Sequence, residues 1–244
     1  MYDLTPFGWL VAGGCALIVG LSKTGLPGMG ILAVPLLATV IPAKASTGAL
    51  LPMLICGDVF AVACYRRHAV WPHLLPLLPS AAVGVVVGAL TMNKINDAQL
   101  RPALGAVVLA MLAMHQWRSR RTDAPVPSGR TFAVVMGVLA GYMTMLANAA
   151  GPIMMVYLLA MRLPRHEFIG TGAWYFLLLN CFKVPFQIWV GNIGFGSFRF
   201  NLMLFPVIAV GAVLGIVLLK RIPEKQFNAV VQILTAAAAV KLLF

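Results

Sequence analysis

Long runs of consecutive apolar residues, separated by short polar loops, fill almost the whole chain. The runs do not alternate apolar with polar residues, so they predict helices rather than the strands of an outer-membrane barrel. The pattern predicts ten helical segments, at residues 7–21, 27–41, 45–65, 72–92, 99–117, 131–146, 151–161, 168–190, 200–219 and 226–244. Apolar helices in this number are typical of an all-α protein that crosses a membrane several times.

A polar interruption at residues 21–30 separates the first two apolar runs. These runs, residues 7–19 and 31–41, are each too short to cross a bilayer, because a helix of ~13–15 residues spans only about 20 Å of the ~30 Å hydrocarbon core. The interruption holds one lysine, two hydroxyl side chains, three glycines and a proline. Irregular backbone at that depth persists only where protein buries it or where it lines a water-filled cavity. The pattern therefore predicts a helix that breaks within the membrane at a solute site.

The two halves of the chain carry the same features in the same order. Gly20 and Gly30 recur 121 residues later, Thr47-Gly48-Ala49 recurs 124 residues later, and Pro79, Gly84 and Gly88 recur 127 residues later. We therefore predict a duplicated unit of two short and three long helices. The first copy is residues 1–117 and the second is residues 131–244. The charged, proline-rich linker 118–130 joins them within one integral membrane domain.

Composition and charge agree with a membrane protein. The chain is 61% hydrophobic and only 10% charged, with a mean hydropathy of +0.94, whereas a soluble domain carries roughly 25% charged residues. A net charge of +12 would also suit nucleic-acid binding, but the basic residues lie mostly in short loops. That placement is typical of the positive-inside rule, so no nucleic-acid partner is expected.

Loop charge also predicts the orientation. If the linker 118–130 is cytoplasmic, eleven basic residues face the cytoplasm: Arg66, Arg67, Arg118, Arg120, Arg121, Arg130, Arg162, Arg165, Lys220, Arg221 and Lys225. Five face outside: Lys44, Lys94, Arg101, Arg199 and Lys241. Five segments in each half then make an inverted repeat with both termini outside, in a bacterial inner (plasma) membrane. Its short helices, broken or re-entrant, would meet near the bilayer midplane.

The second half has its own interruption, at residues 143–151, and the helices that restart after the two interruptions suit an anion. Their N-termini present free N–H groups and the positive end of the helix dipole. The candidate binding residues are Lys23, Ser22, Thr24, Gly25, Pro27, Gly28, Asn148, Gly151, Thr47 and Thr171. Two alternatives stay open: Lys23 can snorkel while the glycines pack helices, and the threonines of the third segments can cap or bond their own backbone.

Asp58 is the acidic residue within a long predicted segment, and its partner decides its role. Lys183 lies on the other side of mid-depth, roughly 10 Å away at ~1.5 Å per residue, so Lys23 is the better partner. Asp58 and Lys183 are both candidates for ion coupling or for an ion pair. Asp58 either takes up a proton or tunes Lys23, or it forms a static pair that fixes helix packing. Asn180 and Tyr175 are further candidates to line the path.

No enzyme signature is present in the sequence. It has no GxSxG, HExxH or complete Walker loop, and its histidines lack metal-ligand spacing. Its four cysteines lie in apolar runs without a CxxC motif. The sequence thus predicts no enzyme activity, no cofactor and no metal site.

The stretch Gly20–Gly30, together with Pro35–Leu37 and Lys44–Gly48, resembles the glycine-rich first segment of the TauE/SafE family of sulfite exporters and its continuation. The similarity covers nearly the whole chain. The second interruption departs from the pattern, because Asn148-Ala149-Ala150 has no lysine and little glycine. We therefore expect a charged wall from the first interruption and only a polar wall from the second.

The resemblance implies a permease that moves sulfite, an organosulfonate or a related small anion, by alternating access. Export fits the energetics, since an inside-negative potential favours anion exit by about 2.3 kcal/mol per charge per 100 mV. The alternatives are a permease for a carboxylate or a metal cation, a non-transporting membrane subunit, and an intramembrane enzyme. The expected partners are a small anionic substrate and the lipid bilayer. The Gly84/Gly88 and Gly211/Gly215 spacings suit packing within a chain or within a homo-oligomer.

Overall fold

A computed structural model describes residues 4–25, 29–119, 129–218, 232–233, 236–237 and 239–243 of the chain. All regular structure within these ranges is helical. The helices are α1 (Pro6–Thr24), α2 (Ala33–Leu37), α3 (Ala43–Tyr65), α4 (Trp71–Leu74), α5 (Leu77–Lys94), α6 (Asp97–Ser119), α7 (Arg130–Ala147), α8 (Gly151–Ala160), α9 (Arg165–Trp189) and α10 (Phe195–Leu218). The predicted linker 118–130 and the predicted last segment, 226–244, lie largely outside the described residues.

Five of the described helical stretches are long and apolar enough to cross a membrane: Pro6–Thr24, Ala43–His68, Trp71–Lys94, Arg130–Ala147 and Phe195–Val217. The chain is therefore an all-α polytopic membrane protein, as its sequence predicts. α9 is also long enough to cross a membrane, at 25 residues. It is not among the five because it carries Lys183 and several polar side chains.

The first interruption is shorter than predicted. α1 continues through Thr24, and its 19 residues span about 28 Å at ~1.5 Å per residue, so the prediction of a helix too short to cross was wrong. The helix ends at Gly25, whose N–H still donates to the Leu21 carbonyl at 3.0 Å. The segment predicted at 27–41 is a 3₁₀ turn, Met29–Leu32, followed by the five residues of α2. Lys23 consequently lies in the last turn of a helix.

Two helix pairs, α1 with α10 and α5 with α7, pack backbone against backbone. A Cβ atom on Gly20 would overlap the Ile208 carbonyl oxygen of α10, and one on Gly141 would overlap the Ala81 carbonyl oxygen of α5. The two glycines are 121 residues apart and the two carbonyls 127 apart, which are the offsets that relate the halves of the sequence. Each contact is therefore the counterpart of the other, which is the pattern that a duplicated unit predicts. α3 packs against α9 between these pairs.

The bundle has two chemically different ends. At the end that we call the basic end, which carries Arg66, Arg67, His68 and Arg162, the Trp174 indole donates to the Arg66 carbonyl at 3.3 Å. At the opposite end, the Lys44 N–H donates to the Asp97 carboxylate at 2.7 Å. α3 and α9 run antiparallel between these two ends, and the cytoplasmic placement of the basic end stays a prediction.

Replacing Gly20 with alanine should destabilise the fold, because the new methyl group meets the α10 backbone, which cannot move aside cheaply. Overpacking of this kind costs about 1–3 kcal/mol. Gly13→Ala on the same helix is the matched control, since a Cβ there meets nothing within 4 Å. Thermal unfolding of the detergent-purified variants measures both. Equal melting temperatures for the two variants would contradict the close α1–α10 contact.

Candidate functional site

A cavity of about 120 Å³ lies where the two interruptions meet. That volume holds several water molecules or one small anion, since a single water needs roughly 10–15 Å³ on the same measure. Each interruption contributes to the wall: Ser22, Lys23 and Gly30 from the first, and Asn148, Ala149 and Gly151 from the second. The structure thus brings together the two chain segments that the sequence singled out.

The rest of the wall extends toward the basic end and is mostly apolar. It includes Phe168 near the start of α9, Ala61 near the end of α3 and Leu158 near the end of α8. On α9 the described lining residues stop at Asn180, so the last third of that helix is closed off. The cavity therefore occupies one half of the bundle only.

Lys23 forms the charged part of the wall. Its Nζ lies 2.6 Å from Asp58 Oδ1, and the carboxylate is fully buried while the lysine side chain is 14% exposed. The same ammonium lies 4.3 Å from the centroid of the Phe176 ring, which adds a cation–π contact. A Cβ on Gly57 would lie 2.8 Å from Lys23 Cγ, so this glycine leaves the space that the lysine stem fills. The ion pair expected between Asp58 and Lys23 is present.

Asn180 connects this pair to a second lysine. Its amide nitrogen donates to Asp58 Oδ2 at 2.7 Å, and its carbonyl oxygen accepts from Lys183 Nζ at 3.2 Å. Lys183 also donates to Thr144 Oγ1 at 3.0 Å and to Asn148 Oδ1 at 2.6 Å. Asp58 and Lys183 therefore do not pair directly, because an amide stands between them. The arrangement links both halves of the chain through polar side chains in the core.

The side chain of Lys183 lies beside the second interruption, although the interruption's own sequence lacks a lysine. Asn148 follows α7 in the left-handed conformation (φ 50°), which asparagine tolerates well. Its amide nitrogen donates to the Thr47 carbonyl at 2.9 Å, and its oxygen faces Lys183 of α9. The second interruption contributes a polar wall to the cavity, as expected, and the Lys183 ammonium of α9 lies buried behind it. The sequence signal for Lys183 was the i, i+3, i+7 spacing of Asn180, Lys183 and Gln187, which places three polar groups on one helix face.

The hydroxyl groups of the other predicted site residues are occupied by backbone partners. The Thr24 hydroxyl donates to the Ala212 carbonyl of α10 at 2.7 Å, and the Thr47 hydroxyl donates to the Lys44 carbonyl at 2.7 Å. The Thr171 hydroxyl accepts from the Val70 N–H at 2.9 Å. None of the three lines the cavity, because a hydroxyl in an apolar interior takes the nearest backbone partner.

The remaining predicted residues divide between the cavity and other places. Ser22 lines the cavity, and its oxygen accepts from the Gly30 N–H at 2.9 Å, which ties the end of α1 to the following turn. Gly25 ends α1 and is not among the described lining residues. Pro27 and Gly28 lie outside the described residues. Tyr175 is fully buried and does not face the cavity.

Comparison with known proteins gives one match. The family model described as "Sulfite exporter TauE/SafE" matches residues 12–242 of the chain. No curated protein and no solved structure gives a significant match.

Replacing Asn180 with leucine should lower stability, because Asp58 and Lys183 each lose a hydrogen-bond partner in a buried position. Hydrogen bonds to charged groups contribute about 1.5–3 kcal/mol each. Asn201→Leu on α10 is the matched control. Its amide nitrogen bonds only the Ser197 carbonyl of its own helix, and its oxygen has no partner among the described residues.

Thermal unfolding in detergent should therefore show a clear loss for Asn180→Leu and little change for Asn201→Leu. A melting temperature of Asn180→Leu equal to that of the unmodified protein would show that the bridge contributes nothing.

Proposed function

This chain belongs to the TauE/SafE family of sulfite exporters, and from that premise we propose that it exports a small sulfur oxyanion, sulfite or an organosulfonate, across the membrane. The anion binds in the cavity between the two interruptions and crosses by alternating access. Transport, rather than catalysis, is the activity of this site.

The observation that carries the proposal is the position of the Lys23 ammonium in the cavity wall. It is partly exposed there, whereas its partner Asp58 is fully buried, so an entering anion meets the positive group first. Together with Lys183 the network contains two ammonium groups and one carboxylate, all within hydrogen-bond or ion-pair distance of one another or of Asn180. When ionised, these groups leave a net positive charge beside the cavity, and an anion compensates it.

The side on which the cavity lies fits loading of the anion from the cytoplasm. The cavity extends toward the basic end, where loop charge predicts the cytoplasm. An anion loaded from that side moves outward along an inside-negative membrane potential. Export therefore needs no coupling ion, and uptake would need one.

A metal cation fits this site poorly. Among the described residues there is no group of three or more histidine, cysteine, aspartate or glutamate side chains that could hold a metal ion. The positive charge beside the cavity repels cations as well. A small carboxylate shares the charge of a sulfur oxyanion, so it belongs in the same transport assay as a competitor.

Purified protein in proteoliposomes tests the proposal directly. Lys23→Met should reduce sulfite flux about tenfold to hundredfold, since a charged contact of about 1.5–3 kcal/mol is lost. Lys94→Met is the control, because Lys94 is exposed at the opposite end of the bundle. The double variant Lys23→Met/Asp58→Asn removes both charges together, so it leaves no unpaired carboxylate in the core, and it should also lose flux.

Flux of the double variant equal to that of the unmodified protein would contradict a role for Lys23 in anion binding. Saturable flux of a carboxylate or a metal cation, with none of sulfite or an organosulfonate, would overturn the choice of substrate. Absence of flux for every solute with the purified chain alone would favour a non-transporting subunit.

A further inference from the structure

Lys183 is a buried lysine without a carboxylate in contact. Its side chain has no exposed surface, and its three hydrogen-bond acceptors, on Asn148, Thr144 and Asn180, are neutral oxygens. No carboxylate of the described residues lies within 4.0 Å of its Nζ, since the ion pair at that distance is formed by Lys23 and Asp58.

An ammonium group in such a place is costly to keep. Neutral hydrogen-bond acceptors replace only part of the hydration that the group loses, and burial of a charge ordinarily requires a counter-ion. Ionisable residues within membrane helices accordingly mark ion paths or pair with one another. Asp58 is already held by Lys23 and is separated from Lys183 by the Asn180 amide. The described residues therefore give the Lys183 ammonium no counter-charge in direct contact, and an anion from outside the protein would supply one.

Polar side chains continue beyond Lys183 through the closed half of the bundle. Gln187, one turn further along α9, is fully buried and donates to the Met145 carbonyl at 3.2 Å. Asn192, which follows α9, donates to Gln187 Oε1 at 2.8 Å. Asn180, Lys183, Gln187 and Asn192 thus form a buried polar row from the end of the cavity to the opposite end. The row places hydrogen-bonding side chains at successive positions between Lys183 and the opposite end.

The two lysines hold corresponding places relative to the two interruptions. Lys23 lies at the end of α1, within the first interruption, and the residue 121 positions later is Thr144, within the second. Thr144 is one of the groups that bind the Lys183 ammonium. Each interruption therefore has one ammonium beside it, supplied by its own helix in the first half and by α9 in the second.

We propose that Lys183 is a second anion-binding site, which takes over the transported oxyanion from Lys23 on the way to the opposite end. The oxygens of Asn148, Thr144 and Asn180 hold the ammonium while this site is empty, and the anion replaces them when the closed half opens. The inference rests on the proposed transport function and assigns its second step. It separates loading at Lys23 from release at Lys183.

The two steps can be measured separately. Binding is read from the thermal stabilisation of detergent-purified protein by sulfite, and transport from sulfite flux in proteoliposomes. Lys183→Met should bind sulfite to within about threefold of the unmodified protein, while its flux falls about tenfold to hundredfold. Lys183→Arg keeps the charge and should retain more flux than Lys183→Met. Lys23→Met should lose both binding and flux, and Lys94→Met should lose neither.

A second variant covers the case in which Lys183→Met does not accumulate in the membrane. Asn148→Asp leaves Lys183 in place and gives it a fixed carboxylate at the position that is 2.6 Å away. This variant should lose flux about tenfold or more, because the counter-ion can no longer be the substrate.

Three results decide the matter. Wild-type flux in Lys183→Met, or in Asn148→Asp, overturns the second site while leaving the proposed transport function intact. Equal loss of sulfite binding in Lys183→Met and Lys23→Met also overturns it, because the two lysines would then form a single site. Absence of sulfite and organosulfonate flux in the unmodified protein overturns the transport function itself, and this inference with it.

Discussion

The ion pair between Lys23 and Asp58 is the interaction on which the rest of the core depends. A carboxylate without exposed surface is stable in a membrane protein only when charged and polar groups surround it. Here Lys23 binds one oxygen of the Asp58 carboxylate and Asn180 donates to the other. These contacts fix the positions of α1, α3 and α9 relative to one another along the bundle axis. Asn180 then orients Lys183, and Lys183 orients Asn148. The geometry of the second interruption is in this way set by a carboxylate of the first half.

Close backbone packing is what makes this arrangement possible. Side chains as short as those of asparagine and threonine reach one another only if the helices approach closely, and small residues at the contacts permit that approach. Gly57 illustrates the point, because the space beside it is filled by the stem of Lys23. A larger residue there would move the ammonium away from both Asp58 and the cavity.

The sequence predicted the helical architecture well, because continuous apolar runs give a strong signal. It also predicted that residues 21–30 and 143–151 meet, and that Asp58 pairs with Lys23. It did not predict that α1 continues through Thr24, since a lysine and two hydroxyl residues resemble a break when the backbone bonds that hold them are unknown. Nor could it assign Lys183 to the second interruption. That contact depends on the tertiary placement of α9, and a local pattern shows only that Lys183 lies on a polar face.

The reciprocal contacts of the two helix pairs have a consequence for how the protein is made. Because α1 lies against α10, and α5 against α7, neither half encloses its own core, and the two halves are interlocked. Gly20 must remain without its Ile208 partner until 188 more residues (208 − 20) have been synthesised. At about 5–20 residues per second that interval is roughly 10–40 s, during which Gly20 lacks its contact with α10.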